Sequence, residues 1–321
     1  MSTSTTTRSL SKINTSKFYL EWKGHPIKDL AKLRELVLQN RPDKPIVYLA
    51  GDSSLDNKYW VPSAGAGGEE LGVETPEIYH QTLDRPRPKP DVAFWLNHLL
   101  GDSATCINAA IEESMLRERD LHLLSHDVFI RDNIRPQDIL IVSVGANDVA
   151  LRPTASTIWH MVQLAWLTSR SSLEHGTASS LSYFKELFGT KVEDYITRLT
   201  LRTKPRAIIV CMIYFPLEAK YGQQSWADMQ LKVLGYNRNP EQLQIAIRKM
   251  YEIATHEIKI EGTEVVPCAL FEVLDGSRKE DYTARVEPSK EGGRRMAERL
   301  RELVDEVLEK YRAAVSGSPQ Q

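Results

Sequence analysis

The chain has 321 residues, of which 41% are hydrophobic and 26% charged, so it can bury a sizeable core. A formal net charge of −2 gives no electrostatic reason to expect nucleic acid or an anionic membrane as a partner. Three widely spaced cysteines, Cys106, Cys211 and Cys268, each lie in an apolar run. They predict reduced core residues of an intracellular protein, not a disulfide frame or a zinc site, and we expect no metal.

Both ends of the chain have the composition of flexible tails. Residues 1–24 are rich in Ser and Thr, and residues 314–321 include SGSPQQ. The chain contains no run of about 18 apolar residues, which a membrane-spanning helix would need, and the amino end lacks the apolar stretch of a signal peptide. We therefore expect a cytoplasmic protein with a flexible amino-terminal tail, although the acid-poor composition of that tail also fits an organelle transit peptide.

Helix and strand patterns alternate between these tails. Apolar residues at helical spacing predict a helix in HPIKDLAKLRELVLQN, and the apolar run IVYLA predicts a buried strand. Further helices are predicted in DVAFWLNHLLG, EESMLRERDLHLLSHDVFI, KVEDYITRLTLRTK, PEQLQIAIRKMYEIATHEI and GGRRMAERLRELVDEVLEKYRAAV, and further strands in TCINAA, DILIVSVG, RAIIVCMIYFP and EVVPCALF. This alternation predicts one doubly wound α/β domain over residues 25–313, with a parallel sheet covered on both faces.

Three segments exceed that minimal pattern, at about 55–90, 151–187 and 217–240. The first contains SAGAGG and RPRPKP and predicts a loop. The second carries Trp159 and Trp166 among other apolar residues, which predicts either a helix that caps a ligand cleft or one that packs on the domain. Near the third segment, Tyr214, Tyr221 and Trp226 are candidates for a pocket wall.

The tripeptide Gly-Asp-Ser occurs twice, and the strand pattern distinguishes the two copies. The first copy follows IVYLA, so Ser53 is expected at the carboxyl end of a strand, where sites gather in parallel sheets. The second copy, which ends in Ser103, follows a helix and precedes a strand, and this order predicts a turn at the opposite edge of the sheet. Ser53 is therefore the candidate nucleophile.

Polar groups at two other strand ends are candidate partners for Ser53. Asn147 follows a strand in VSVGANDVA, where its side-chain amide could donate to a developing oxyanion. Backbone N–H groups between Asn108 and Ser114 are expected at the same edge of the sheet. A serine, an amide and free backbone donors form a constellation that suits acyl transfer.

In this order, the motifs resemble the blocks of the GDSL or SGNH hydrolase superfamily, over roughly residues 45–312. GDSSL resembles the nucleophile block, GAND (145–148) resembles the GxND block, and RVEPSKEGG resembles the final block, usually DxxHPxxxG. The resemblance implies a flavodoxin-like three-layer α/β fold and an ester hydrolase or acyltransferase that acts on a small-molecule or lipid ester without a cofactor. It also implies that Ser53 is the nucleophile and that its N–H and the Asn147 amide hold the oxyanion.

Two blocks depart from the family pattern. The block resembling NxGxxG reads NAAIEE, so Ala110 and Glu113 stand at the glycine positions, and either backbone N–H could still face an oxyanion. In the final block, Glu287 stands where the catalytic histidine belongs and Ala284 where the supporting aspartate belongs, with Pro288 fixing the register. The remaining pocket residues predicted on this basis are Asn108, Ala110, Glu113, Gly145, Asp148 and Arg285.

A serine hydroxyl needs a base, because almost none of it is ionised at neutral pH. The preferred prediction is that Glu287 takes the proton, helped by burial that raises its pKa. Alternatively, His80 or His160 supplies the base, or the protein no longer hydrolyses esters and either runs other chemistry or binds a cationic or hydroxyl-rich ligand through Glu113 and Glu287. Arg285 could pair with one of these carboxylates or bind an anionic substrate group.

Overall fold

Five parallel strands form the centre of the structure, a computed structural model that describes residues 11–62 and 73–316, with side chains to residue 314. The strands are β1 (Ile46–Gly51), β2 (Thr105–Asn108), β3 (Ile139–Ser143), β4 (Ala207–Met212) and β5 (Glu264–Ala269), and a short antiparallel pair is formed by β6 (Tyr282–Thr283) and β7 (Glu287–Pro288). The sheet order is β2-β1-β3-β4-β5, which confirms the predicted flavodoxin-like topology. Every residue of β1 to β4 is buried, because helices cover both faces.

Helices of very different length connect and cover the strands. The described α-helices are α1 (Thr15–Phe18), α2 (Ile27–Asn40), α3 (Glu77–Thr82), α4 (Val92–Leu100), α5 (Ser125–Asn133), α6 (Ala146–Ala150), α7 (Ala155–Val162), α8 (Arg170–Glu174), α9 (Leu181–Lys185), α10 (Lys191–Leu199), α11 (Asp228–Val233), α12 (Pro240–Ile253) and α13 (Lys290–Ser316). α4 packs against α13, whereas α5 packs against α2 and α10. The chain steps from β1 out to β2 and then back past β1 to β3, so right-handed crossovers place α4 and α5 on opposite faces.

The described residues near the two ends of the chain, 11–24 and 314–316, are more ordered than their composition predicts. Ile13 forms an isolated parallel bridge with Leu83, and Phe18 is buried in the core. The structure therefore corrects the prediction of a flexible tail for residues 11–24, because the apolar side chains among the Ser and Thr residues find places in the core. Residues 1–10 lie outside the described part. At the other end, α13 continues to Ser316, three residues into the predicted tail.

The single helix predicted for residues 112–130 is wrong. A 3₁₀ turn at Leu116–Arg119 is followed by α5, which begins only at Ser125. The Asp148 carboxylate accepts hydrogen bonds from two backbone N–H groups of the 3₁₀ turn, at 2.7 and 3.1 Å. Glu113 has a φ of 59°, in the left-handed region. A left-handed residue and a competing acceptor interrupt the helical path, so this stretch forms a loop at the carboxyl end of β2.

The predicted insertions pack around the sheet in different ways. In the first, residues 63–72 lie outside the described part, and α3 occupies a stretch predicted as loop. The second forms α7, α8, α9 and a π-helical turn, which pack on α11 and α12. Apart from Leu151, none of its residues lines the cleft described below. Of the two alternatives for this segment, packing on the domain is therefore observed and a cap over the cleft is not.

Within residues 11–62 and 73–316, no helix is both long enough and apolar enough to cross a lipid bilayer.

Candidate active site

A cleft lies at the point where the strand order reverses. β2 and β3 flank β1 on opposite sides, so the connections that leave β1 and β3 diverge and open a crevice at their carboxyl ends. Ser53 follows β1, Asn147 follows β3, and Glu287 reaches the same place from β7. All three line one cavity of about 550 Å³, together with Glu113.

The nucleophile loop begins with a turn that requires glycine. Gly51 has a φ of 148°, and a Cβ there would lie only 1.9 Å from the carbonyl oxygen of Ser143 at the end of β3. The Asp52 N–H donates to that same oxygen at 3.1 Å. Ser54 Oγ then bonds to Asp52 Oδ1 at 2.8 Å and to Ser143 Oγ at 2.7 Å. The loop is thereby held against β3, with Ser53 directed into the cleft.

Three hydrogen-bond donors face the cleft without a complete set of partners. Within the described chain, the backbone N–H groups of Ser53 and Glu113 donate to no protein acceptor. The Asn147 side chain is buried, and its Nδ2 donates one hydrogen to the carbonyl oxygen of Ser114 at 3.0 Å. This bond orients the amide, whose other N–H remains available. Together these donors can hold an oxyanion.

In the NAAIEE block, the backbone N–H groups of Ala110 and Glu113 were the two candidate oxyanion donors, and only that of Glu113 is available. The Ala110 N–H donates to Asn108 Oδ1 at 3.1 Å, and Asn108 Nδ2 donates to the carbonyl of Leu55 at 2.9 Å. Asn108 and Ala110 therefore stabilise the loop and do not present donors to a ligand. Glu113 adopts a left-handed backbone that glycine would adopt without strain, which agrees with its position in the motif.

Gly145 and Asp148 shape the loop after β3. Gly145 has a φ of 103° directly before α6, and a Cβ there would lie 2.9 Å from the Phe188 ring. The Asp148 carboxylate is turned away from the cleft towards the 3₁₀ turn, and burial raises its pKa. Neither residue lines the cavity, so both position Asn147 and do not contact a ligand.

Arg285 does not enter the cleft, and the prediction that it meets Glu113, Glu287 or a substrate anion is corrected. Its guanidinium is buried and donates to Asp228 at 2.7 Å, to Asn237 at 2.9 Å and to a backbone carbonyl at 3.0 Å. These bonds anchor the β6–β7 turn, in which Ala284 and Arg285 have φ values of 51° and 63°. The three hydrogen bonds of Arg285 thus hold the strained turn in place, and this fixes the backbone that leads into Glu287.

Glu287 is a buried carboxyl group with one partnered and one free oxygen. The Trp226 indole N–H donates to Oε1 at 3.1 Å, and Oε2 has no partner within the described chain. Burial raises the pKa of Glu287 well above its usual range, and hydrogen bonding to Ser53 and Trp226 offsets part of that rise. The Ser53 hydroxyl lies near this carboxyl but forms no well-aligned hydrogen bond to either Glu287 oxygen, so we describe the contact as loose.

A second buried carboxyl, Glu112, was not predicted from the sequence. The Trp60 indole N–H donates to its Oε1 at 3.0 Å, and its Oε2 also lacks a partner in the described chain. Burial, and next the repulsion from Glu287, raise the pKa of Glu112 well above its usual range. Because this repulsion is mutual, Glu112 and Glu287 titrate as a pair.

The cleft has an aromatic outer part and an apolar inner arm. Trp22, Tyr59, Trp60 and Trp226 line the outer part. The arm has a volume of about 100 Å³ and reaches from Ser53 past Tyr214 towards α12, lined mainly by Ala150, Ile213, Leu231, Leu234, Leu243, Ile247 and Val286. Tyr214 and Trp226 were candidates from the sequence, whereas Tyr221 lies elsewhere.

None of the eight histidines lines the cleft, although all eight lie in the part of the chain that the structure describes. His80 is exposed on α3, and His160 stacks on Tyr183 with ring centroids 4.6 Å apart. The structure therefore does not support a histidine base. Among residues 11–62 and 73–316, no group of three or more His, Cys, Asp or Glu side chains could hold a metal ion.

Comparison with solved structures gives matches of low sequence identity. A lipase from a goat rumen metagenome is 13% identical over 81% of this chain and 97% of its own, with a TM-score of 0.42. An aryl esterase of M. smegmatis is 14% identical over 82% and 99%, with a TM-score of 0.40. A GDSL-like lipase candidate from Bacteroides ovatus is 11% identical with a TM-score of 0.41, and the match covers 84% of this chain but only 55% of that one. No protein-family model matches the chain, and no curated protein matches its sequence.

Because these TM-scores lie below 0.5, the interpretation of the cleft rests on its own geometry. Sequence reasoning found Ser53, Asn147, Glu113 and Glu287, each at the end of a strand or in a recognisable block. It missed Glu112, although NAAIEE places that residue beside Glu113. Trp22, Tyr59 and Trp60 were missed because nothing in the local pattern around them distinguishes a cleft position from a core position.

Proposed function

We propose that the protein is a serine-dependent ester hydrolase or acyltransferase that acts on a small-molecule or lipid ester, with Ser53 as nucleophile and Glu287 as base. One observation supports this most strongly. A serine hydroxyl and a buried carboxyl with a free oxygen line the same cavity as three oxyanion donors: the N–H groups of Ser53 and Glu113 and the Asn147 amide. The resemblance of the sequence to the SGNH blocks points to the same chemistry.

In the proposed reaction, Ser53 Oγ attacks the acyl carbon while its proton passes to the Glu287 carboxylate. The electron pair of the carbonyl bond moves to oxygen, and the three donors hold the resulting oxyanion. When this intermediate collapses, the bond to the alcohol oxygen breaks, and Glu287 returns the proton to the leaving alkoxide. Water, or an acceptor alcohol, then attacks the Ser53 ester by the same path in reverse.

A carboxyl group is ordinarily too weak a base for a serine, and its environment in this cleft offsets that weakness. A base works best when its pKa lies near the ambient pH. Burial raises the pKa of Glu287 in that direction, and the negative charges of Asp52 and Glu113 act in the same sense. Glu287 can therefore be a stronger base than an exposed glutamate and still be ionised in part of the population.

The second candidate function is ligand binding without hydrolysis. It is favoured by the loose contact between Ser53 and Glu287, and by two orphaned carboxyl oxygens that a ligand could satisfy. Both functions use the same cleft. They differ in whether Ser53 reacts, and this can be measured directly.

The test is labelling with a fluorophosphonate, which modifies only activated serines. The wild-type protein should be labelled, Ser53→Ala should not, and Glu287→Gln should react at least about 100-fold more slowly because it has no base. Ser103→Ala is the matched control, since it changes the serine of the other Gly-Asp-Ser copy, whose Oγ donates to the Leu100 carbonyl at 2.7 Å. It should be labelled as fast as wild type.

Folded wild-type protein that fails to react would remove the hydrolase proposal and leave the binding function. Labelling that persists in Ser53→Ala and disappears in Ser103→Ala would mean that the wrong serine was chosen. A Glu287→Gln protein that reacts at the wild-type rate would exclude Glu287 as the base.

A further inference from the structure

The outer part of the cleft combines four aromatic side chains with buried carboxyl groups. Trp22, Tyr59 and Trp226 keep between 37% and 56% of their surface exposed, an unusual fraction for large rings that line a cavity. The Trp22 and Tyr59 rings are 6.1 Å apart and inclined at 58°, and the Tyr59 and Trp60 rings are 4.9 Å apart and nearly perpendicular. We call Trp22, Tyr59, Trp60 and Trp226 the aromatic wall.

The carboxyl groups behind the aromatic wall are incompletely satisfied. Glu112 and Glu287 are each at least 97% buried, and each gives one oxygen to an indole N–H and leaves the other without a partner in the described chain. A buried polar atom without a partner costs free energy, so its presence in a cavity indicates a ligand group that meets it. When either carboxyl is ionised, its free oxygen favours a positively charged group beside it.

The chain already places one cation against this kind of surface. Lys23 Nζ lies 2.9 Å from Glu113 Oε2 and 4.6 Å from the centre of the Trp22 ring. The Lys23 side chain is 44% exposed and lies at the rim, outside the cavity lining. The rim therefore accepts a cation between a ring and a carboxylate, and the deeper carboxyl pair remains unoccupied by any side chain of the described residues.

A quaternary ammonium suits this surface better than a primary one. It has no N–H to donate, so it gains chiefly from aromatic faces and nearby negative charge. The indole N–H groups of Trp60 and Trp226 already donate to Glu112 and Glu287, which fixes both rings in the cavity lining. A primary ammonium is strongly hydrated, and aromatic faces replace the hydrogen bonds of that water poorly.

From these observations we infer that the cleft selects short-chain acyl esters whose alcohol part carries a quaternary ammonium group, as in choline esters. The inference rests on the proposed function and specifies its substrate class. The acyl group would occupy the narrow apolar arm, whose volume is about 100 Å³ against about 550 Å³ for the outer cavity. The cationic alcohol would lie against the aromatic wall and leave with the proton returned by Glu287, while the acyl group remains on Ser53 Oγ.

The test compares two esters of equal shape and different charge. Acetylcholine and 3,3-dimethylbutyl acetate differ in a nitrogen replaced by carbon, so their kcat/KM ratio isolates the positive charge, and acid release in a pH-stat measures both. The wild-type protein should prefer acetylcholine at least about tenfold, in line with desolvated cation–π contacts. Choline should also inhibit more strongly than ethanolamine.

Variants assign that preference to the aromatic wall. Trp22→Leu should lower the acetylcholine preference about tenfold, and Trp22→Phe should retain most of it because a ring face remains. Lys23→Met should raise the preference, since it removes a competing cation from Glu113 and Trp22. Trp159→Leu is the matched control, because Trp159 is similarly exposed but lines neither part of the cleft. It should leave the ratio unchanged.

The outcomes separate this inference from the proposed function. Equal kcat/KM for the two esters would overturn the inference and leave the esterase proposal in place. If neither ester is hydrolysed, the esterase proposal fails for these substrates, and calorimetry with phenyltrimethylammonium and the Ser53→Ala protein then decides the cation site. Binding that weakens in Trp22→Leu would support the cation site, and no binding would overturn it.

Discussion

At the residue scale, the proposed chemistry depends on two glutamates that share one buried environment. Each carboxyl is fixed by an indole donor, Trp60 for Glu112 and Trp226 for Glu287. Two negative charges so close together in a buried site are unfavourable, so the pair resists losing its second proton. Where a histidine would be expected, the fold thus provides a carboxyl whose proton affinity is raised by burial and by the charges of Asp52 and Glu113.

This arrangement predicts a specific pH dependence. Glu287 can act as base only when ionised, so kcat/KM with a neutral ester should rise with pH, with a midpoint above the ordinary glutamate pKa of about 4.3. Besides burial, the negative charge of Glu113 raises the pKa of Glu287, so Glu113→Gln removes that charge and should move the midpoint to lower pH. Profiles of kcat/KM against pH for 4-nitrophenyl acetate measure both effects.

The matched control for the pH profile is Glu261→Gln, which removes an exposed carboxylate outside the cleft and should leave the midpoint where it is. If the midpoint of Glu113→Gln coincides with that of wild type, the Glu113 charge does not act on the group that titrates. If activity instead falls between about pH 5 and about pH 8, the group that titrates acts as an acid, and Glu287 is not the base.

At the scale of elements, the same tripeptide has different consequences at the end of a strand and at the end of a helix. At the end of β1, Gly51 presses against the backbone of β3, and the turn presents Ser53 to the cleft. At the end of α4, Gly101 has a φ of 53° with open space around it, and the Asp91 side chain caps the other end of that helix. Only the first glycine is required by a close backbone approach.

Substitution of the two glycines should therefore destabilise the protein to different degrees. In Gly101→Ala the new Cβ meets nothing, so the cost is that of an alanine at φ 53° and ψ −118°, outside the left-handed helical region, about 1–3 kcal/mol. In Gly51→Ala the Cβ overlaps a carbonyl oxygen that cannot move without breaking β3, so we expect a loss above about 4 kcal/mol, or no folding. Urea denaturation measures the free energies of unfolding, and equal losses would contradict the tight β1–β3 turn.

At the scale of the whole molecule, Asp56 connects parts of the chain that are distant in sequence. Its fully buried carboxylate accepts the N–H of Gly24 and the N–H of Glu112, both at 2.8 Å. It also pairs with Lys58, whose ammonium is buried and lies 2.6 Å away. The amino-terminal segment, the nucleophile loop and the loop after β2 therefore meet at this one side chain, directly behind the cleft.

Loss of this charge should be costly, because Lys58 would be left buried without a counter-charge. We expect Asp56→Asn to lower the free energy of unfolding by about 3–5 kcal/mol. Asp102→Asn is the matched control, since Asp102 pairs with Arg41 at 3.0 Å but its side chain is 90% exposed, and it should change the free energy by at most about 1 kcal/mol. Thermal or urea unfolding compares them, and similar losses would show that the Asp56 cluster is not a structural centre.

The order of the elements was largely predictable, because a buried strand or an amphipathic helix is encoded in consecutive residues. β1, β3 and α2 appear within one or two residues of their predicted positions. The helix predicted at 112–130 failed although its residues have helical spacing, because the Asp148 carboxylate of α6 binds two backbone N–H groups within that stretch. A local pattern carries no information about such a competitor.

By itself, the sequence determined the alternation of strands and helices, the choice of Ser53 over Ser103, and the presence of Glu287 where a histidine was expected. Tertiary structure alone decided that Glu112 stands beside Glu287, that Arg285 clamps a turn outside the cleft, and that four aromatic rings surround the carboxyls. The physical reason is distance along the chain. Trp60 and Glu112 are 52 residues apart, and Trp226 and Glu287 are 61 apart, so their contacts exist only once the sheet has brought its loops to one edge.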